Sequence, residues 1–143
     1  MPHRDRPRVV FHGGVVLLAG LLCGLPSVAE PESERMWRTA HESLIMMGIL
    51  LLAVSSVLPV LVLERREARG LFVALLATSY GFTVGLVLQA VTGTHAFAPS
   101  ASPLPLIAFI GNVTGILGSL LAALLIMTGA RAALGAASVA RAA

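Results

Sequence analysis

Polar and charged residues in this chain are gathered into short clusters, and between the clusters lie four long apolar runs. Residues 9–28 form the first, interrupted only by His12 and by glycines, and residues 43–63, 70–91 and 105–129 contain no charged side chain. Each run is close to the roughly 20 residues that a helix needs to cross about 30 Å of hydrocarbon at about 1.5 Å per residue. A membrane barrel would show segments of about 10 residues alternating apolar and polar, whereas these runs are apolar on every face. The pattern predicts an all-α membrane protein with four transmembrane helices in a single domain, residues 1–143. Pro26 is expected to end the first span, Pro59 to kink the second near its end, and Pro99, Pro103 and Pro105 to hold the last loop extended before the fourth helix. The alanine-rich residues 132–143 either prolong that helix or fray.

Composition supports the same class: 57% of the residues are hydrophobic, 12% are charged, and the mean hydropathy is +0.89, beyond the range of ordinary soluble domains. All the fixed positive charge is arginine, and its placement predicts orientation, because basic residues near membrane ends are retained in the cytoplasm. Arg4, Arg6 and Arg8 precede the first span, Arg65, Arg66 and Arg69 separate the second and third, and Arg131 and Arg141 follow the fourth. On the opposite side stand only Arg35 and Arg38, within an acidic stretch containing Glu30, Glu32, Glu34 and Glu42. Both termini are therefore expected on the cytoplasmic face of a bacterial-type plasma membrane. A rival reading makes the first run a cleaved export signal ending at Ser27-Val28-Ala29, but His12, Gly13 and Gly14 weaken its apolar core.

The net charge of +3 does not point to nucleic acid, since the arginines sit where topology requires them and no basic, aromatic-studded stripe exists. Phosphate loops, paired-cysteine metal sites and His-Glu-x-x-His motifs are absent. Cys23, the single cysteine, reads as a small buried apolar residue. The remaining polar inventory is short. His41, Gln89, His95 and Asn112 fall near one depth on the outer side, while His12 lies some 20 Å away toward the other face, too far to partner His41. Asn112 and Gln89 read as interhelical bonding residues, worth about 1 kcal/mol each. Gly111, Gly115, Gly118, Ser119 and Ala122 form a small-residue seam suited to tight packing against another subunit or partner. His41 stands where the chain enters the membrane, at the end of Trp37-Arg38-Thr39-Ala40-His41, with Gly48 seven residues on along the same face. A histidine above an open glycine surface suits a planar cofactor; the simpler reading is an interfacial histidine anchoring a helix end.

Several landmarks occur in a familiar order. His12-Gly13 is followed by Leu21-Leu22 and Gly24; Trp37-x-x-Ala40-His41 is followed by Gly48; Val57-Leu58-Pro59 precedes Ala68-Arg69; Tyr80 and Val84-Gly85 close the series. In this order and spacing they resemble the styrene oxide isomerase family, small membrane proteins that rearrange aryl epoxides to aldehydes. The resemblance implies four-helix subunits assembled as a homotrimer. It also implies a ferric heme b whose iron is ligated by the histidine matching His41, with Trp37, Met47 and Gly48 lining the cofactor. The iron would act as a Lewis acid on a hydrophobic substrate, such as an aryl epoxide, that enters from the membrane lipid. The chain departs from the family beside that site: Met47 replaces an asparagine, and Leu86 and Val87 occupy the place of a tyrosine. Asn112 and Tyr80 are the catalytic candidates that could restore polar function. The alternative is a non-catalytic heme-binding or interaction subunit of the membrane.

Overall fold

The structure is a computed structural model that describes residues 2–29, 34–94 and 98–142, with side chains described for residues 6–26, 34–94 and 98–138. It contains four long helices: α1 (Pro2–Ala29), α2 (Glu34–Val57), α3 (Arg65–Thr92) and α4 (Pro103–Ala142). All four are long and apolar enough to cross a membrane, and the chain is a multi-pass helical membrane protein. Large apolar side chains such as Phe11, Leu25, Met46 and Leu124 remain exposed on the outside of the bundle, an arrangement that hydrocarbon tolerates and water does not.

Two prolines behave differently from the sequence expectation. α1 runs through Pro26 to Ala29, because the ring forfeits only the bond to the Leu22 carbonyl while its fixed φ fits the closing turn. α2, by contrast, is stopped rather than kinked. It ends at Val57, a single 3-10 turn spans Leu58–Val60, and the chain leaves it extended, with Leu61 at ψ 132°. Pro59 has no N–H to donate to the Ser55 carbonyl and its ring crowds the preceding turn, so the α ladder stops there. The exit strand is tied to the far end of α4, where the Val62 N–H donates to the Gly129 carbonyl at 3.2 Å. α3 then begins with a capping box, the Glu64 N–H donating to Glu67 Oε2 at 2.8 Å, and ends on Gly93 at φ 65°, a left-handed position that glycine adopts without strain. Residues 132–142 prolong α4.

The helices associate as two intimate antiparallel pairs. In α1/α2, a Cβ placed on Gly20 would lie 2.8 Å from the Ile45 backbone nitrogen, and one on Gly48 would lie 2.8 Å from the Leu17 nitrogen. In α3/α4, a Cβ on Gly81 would lie 2.7 Å from both the Gly111 carbonyl oxygen and the Gly115 nitrogen, and one on Gly118 would lie 2.7 Å from the Thr78 nitrogen. These close approaches are what small residues contribute where hydrophobic burial cannot drive association. The seam of Gly111, Gly115 and Gly118 is therefore spent inside the subunit, against α3, rather than offered to another chain. Val9, Val16, Leu44, Leu51 and Leu71 fill the centre between the pairs. Because consecutive helices run antiparallel, the start of α1 and the end of α4 lie at one end of the bundle.

Candidate functional site

His41 sits two turns into α2, beside the buried Ala40 and Leu44, and its ring is only half-exposed. Its Nδ1 lies 2.8 Å from the carbonyl oxygen of Gly20 on α1. A carbonyl can only accept, so Nδ1 carries the proton and the lone pair of the neutral ring is on Nε2. The ring is seated on Gly24, where an added Cβ would stand 2.9 Å from Nδ1 and 3.0 Å from Cε1. Ligating histidines are commonly oriented in this way, one nitrogen tied to a backbone carbonyl and the other left as donor. Trp37, one turn earlier, packs half-buried against the core. Glu42 is exposed, and Arg38 pairs with Glu34 on the surface of the first turns.

Gly48 does not provide the open surface expected of it. It is buried, with its free side against the backbone of Leu17, since α1 and α2 cross where neither has bulk. Met47 is likewise not beside the imidazole. It lines a cavity of about 370 Å³ between α2, α3 and α4, together with Thr39, Ser43, Phe82, Leu86 and Asn112. That volume is at the small end of ligand pockets, about 300–1,000 Å³. A second space of about 170 Å³ continues from Met47 toward Thr78, Ser79 and Ser119. Thr39, Ser43 and Met47 are spaced by four along one face of α2. His41, two residues from Thr39 and from Ser43, lies about 200° around the helix from them. Within one subunit, then, His41 and the cavity occupy opposite faces of α2.

The cavity is apolar in character. The hydroxyls of Thr39, Thr78, Ser79 and Ser119 donate to carbonyls of their own helices at 2.8–2.9 Å. Asn112, 1% exposed, supplies the amide, its side chain lying over Gly85 where a Cβ would come within 2.1 Å of Oδ1. Met47 and Leu86, the two positions where polar residues were missed in the sequence, thus face the same space as Asn112. Gln89 is buried, and its Oε1 has no hydrogen-bond partner among the described residues, so the interhelical bond expected of that oxygen is not made there. His95 lies outside the described residues.

Tyr80 is not at the cavity. Its hydroxyl is 2.7 Å from His12 Nδ1, on the face of α3 opposite Phe82, so α3 separates the two catalytic candidates Asn112 and Tyr80. His12 itself is level with Leu51 and Leu52, the contacts of Gly13, and so about three turns, or about 16 Å along the axis, from His41: shorter than the roughly 20 Å or more expected, but still beyond contact. The His12–Tyr80 pairing was missed in the sequence. The available signals were that His12 is the one histidine inside the first span and Tyr80 the one tyrosine of the chain.

Among the described residues no three His, Cys, Asp or Glu side chains converge to hold a metal ion. The imidazole of His41, with Nε2 left unprotonated, is a side chain that could serve as one axial ligand of a porphyrin-held iron. A family model described as styrene oxide isomerase matches residues 5–131. Neither a curated protein nor a solved structure matches the chain.

Proposed function

The chain belongs to the styrene oxide isomerase family, and from that premise we propose that it binds ferric heme b through His41 and isomerises a hydrophobic epoxide, of the aryl type, to an aldehyde. The observation that carries the reading is the His41–Gly20 hydrogen bond, which fixes the tautomer a metal ligand needs and aims the ring. Bound heme would supply a Lewis acid for the epoxide oxygen, in a rearrangement with no net redox change.

The chain's own residues do the rest. The Gly20 carbonyl holds the proton at Nδ1 and so keeps Nε2 basic. Met47, Phe82 and Leu86 wall the cavity with apolar surface, which excludes water from a reaction that builds positive charge on carbon. Asn112 supplies the side-chain amide of the same wall, together with the Ser43 hydroxyl, for contact with a substrate oxygen. Since His41 and the cavity lie on opposite faces of α2, the two come together in a closed ring of subunits, where the α1–α2 face of one copy abuts the cavity face of the next. A homotrimer is such a ring. The arginine distribution orients each subunit with both ends in the cytoplasm of a bacterial-type plasma membrane.

A second reading, a heme-binding subunit without catalysis, is favoured by one observation: Met47 and Leu86 leave the cavity with few free donors. One preparation separates the readings. Detergent-purified protein titrated with hemin is expected to develop a Soret band at a stoichiometry of about one heme per chain, one axial histidine serving one iron, and then to convert styrene oxide to phenylacetaldehyde. A Soret band without aldehyde supports the second reading; absence of specific hemin binding overturns both.

A further inference from the structure

The His12–Tyr80 pair takes no part in the chemistry above, yet it is placed where a polar pair is least comfortable. His12 belongs to the apolar window Arg6–Pro26, and Tyr80 falls near the midpoint of α3. An ionisable residue at such a depth ordinarily marks a site. The pair joins α1 to α3 at the outer surface of the bundle, and Phe72 beside it also lines the α1–α3 groove with Val9, Leu71 and Leu75. Tyr80 is 36% exposed and Phe11 64%, and His12 and Phe72 are half-buried.

A count of protons shows what the pair lacks. A neutral imidazole and a phenol together own two hydrogen-bond donors, and their mutual bond uses one. If the Tyr80 hydroxyl donates to Nδ1, the His12 Nε2–H is left over; if Nδ1–H donates, the phenolic proton is left over. The described residues supply neither atom with a second partner, and hydrocarbon contains no acceptor. A bond serving only to tie α1 to α3 would leave this donor stranded. The surroundings suit an aromatic visitor. Three rings stand around the imidazole: Phe11 at 5.4 Å and 75°, Tyr80 at 5.6 Å and 88°, and Phe72 at 6.2 Å and 60°. Edge-to-face geometry of this kind is how aromatic surfaces receive one another.

We propose that the α1–α3 groove at His12 and Tyr80 is a second small-molecule site, distinct from the cavity on the other face of α3. It takes an aromatic ligand with an acceptor-only oxygen, a ketone, aldehyde or epoxide, that partitions into the bilayer. The dyad donates its spare proton to that oxygen while Phe11 and Phe72 hold the ring. Lipid-side access makes the site fillable without passage through water, and it requires no heme.

Benzophenone, itself an aryl ketone and a photolabel, is a direct probe. Heme-free full-length protein in nanodiscs is irradiated with benzophenone and the labelled residues are mapped by mass spectrometry. Labelling is expected to concentrate on residues 8–15 and 72–84, to be suppressed by acetophenone, and to be untouched by ethylbenzene, which matches it in size without the oxygen. Tyr80→Phe leaves the imidazole N–H free to serve the ligand and should retain labelling, whereas Tyr80→Phe combined with His12→Leu removes both donors and should weaken labelling about fivefold, the worth of one hydrogen bond. Labelling spread in proportion to lipid exposure, equal competition by acetophenone and ethylbenzene, or protection of the groove by a second copy of the chain would each overturn the proposal. The competition arm uses the unmutated protein, so it stands whether or not the variants fold.

Discussion

Replacing His41 by alanine is expected to abolish the hemin Soret band of the purified protein, and replacing Gly24 by valine is expected to weaken hemin binding by about 10–100-fold, the usual consequence of disturbing the partner that orients a metal-ligating histidine. The two variants probe different things. His41→Ala removes the donor atom. Gly24→Val leaves it in place but puts a branched side chain where even a Cβ would stand 2.9 Å from Nδ1, pushing the ring off its seat and stretching the 2.8 Å bond to the Gly20 carbonyl. Hemin titrations followed at the Soret maximum measure both. His41→Gly supplemented with free imidazole should regain the band if the loss is of a ligand and not of the fold. Unchanged hemin affinity in His41→Ala would remove the proposed ligand, and with it the proposed mechanism. Gly14→Val makes the matching control, since a Cβ at Gly14 meets nothing within 4 Å.

The second large effect belongs to the fold itself. Gly81→Val should destabilise the detergent-solubilised protein by about 3 kcal/mol, the upper end of overpacking penalties. The atoms that a new side chain meets, the Gly111 carbonyl oxygen and the Gly115 nitrogen at 2.7 Å, are backbone and cannot swing aside, so α3 and α4 must separate. Gly85 and Asn112 lie one turn along the same seam, and the cavity should lose its shape along with the pairing. Denaturation in rising SDS or a thermal scan checks the prediction, with Gly14→Ala as comparison. That change adds a better helix former at an open position and is expected to be neutral or mildly stabilising. A Gly81→Val protein as stable as the parent would mean that the α3/α4 contact is looser than described.

The four spans were legible because membrane helices are written in composition: nothing but length and apolarity is needed to find residues 43–63 or 70–91. Family membership was legible through landmarks such as Trp37-x-x-Ala40-His41 and Val84-Gly85, whose order survives even where Met47 and Leu86 have lost polar groups. What the sequence concealed is partner choice among helices. A glycine in a span announces a close approach but not the element that approaches, so Gly48 was read as an open face when Leu17 fills it, and Gly111, Gly115 and Gly118 as a seam for another subunit when α3 occupies it. That His12 and His41 stand too far apart along the helix axes to be partners was legible, but position along the axis is one coordinate of two. The angle around each helix separates His41 from Met47 and Tyr80 from Asn112, and it brings Tyr80 to His12. That angle is set by tertiary packing, which no linear spacing reports.

α4 is 40 residues long, about 60 Å at 1.5 Å per residue, against roughly 30 Å of hydrocarbon. The Val62–Gly129 hydrogen bond marks where it parts company with the bundle, and the described side chains from Arg131 to Ser138 are nearly all exposed. A free peptide of that length would scarcely hold a helix in water, because starting one is the costly step. Here the buried part of α4 has already supplied the nucleus, and extension needs only the favourable propensity of alanine at positions 132, 133, 136 and 137. The stalk is thus a helix grown by templating rather than by packing, cooperative with the bundle at its root and governed at its tip by ordinary helix–coil equilibrium.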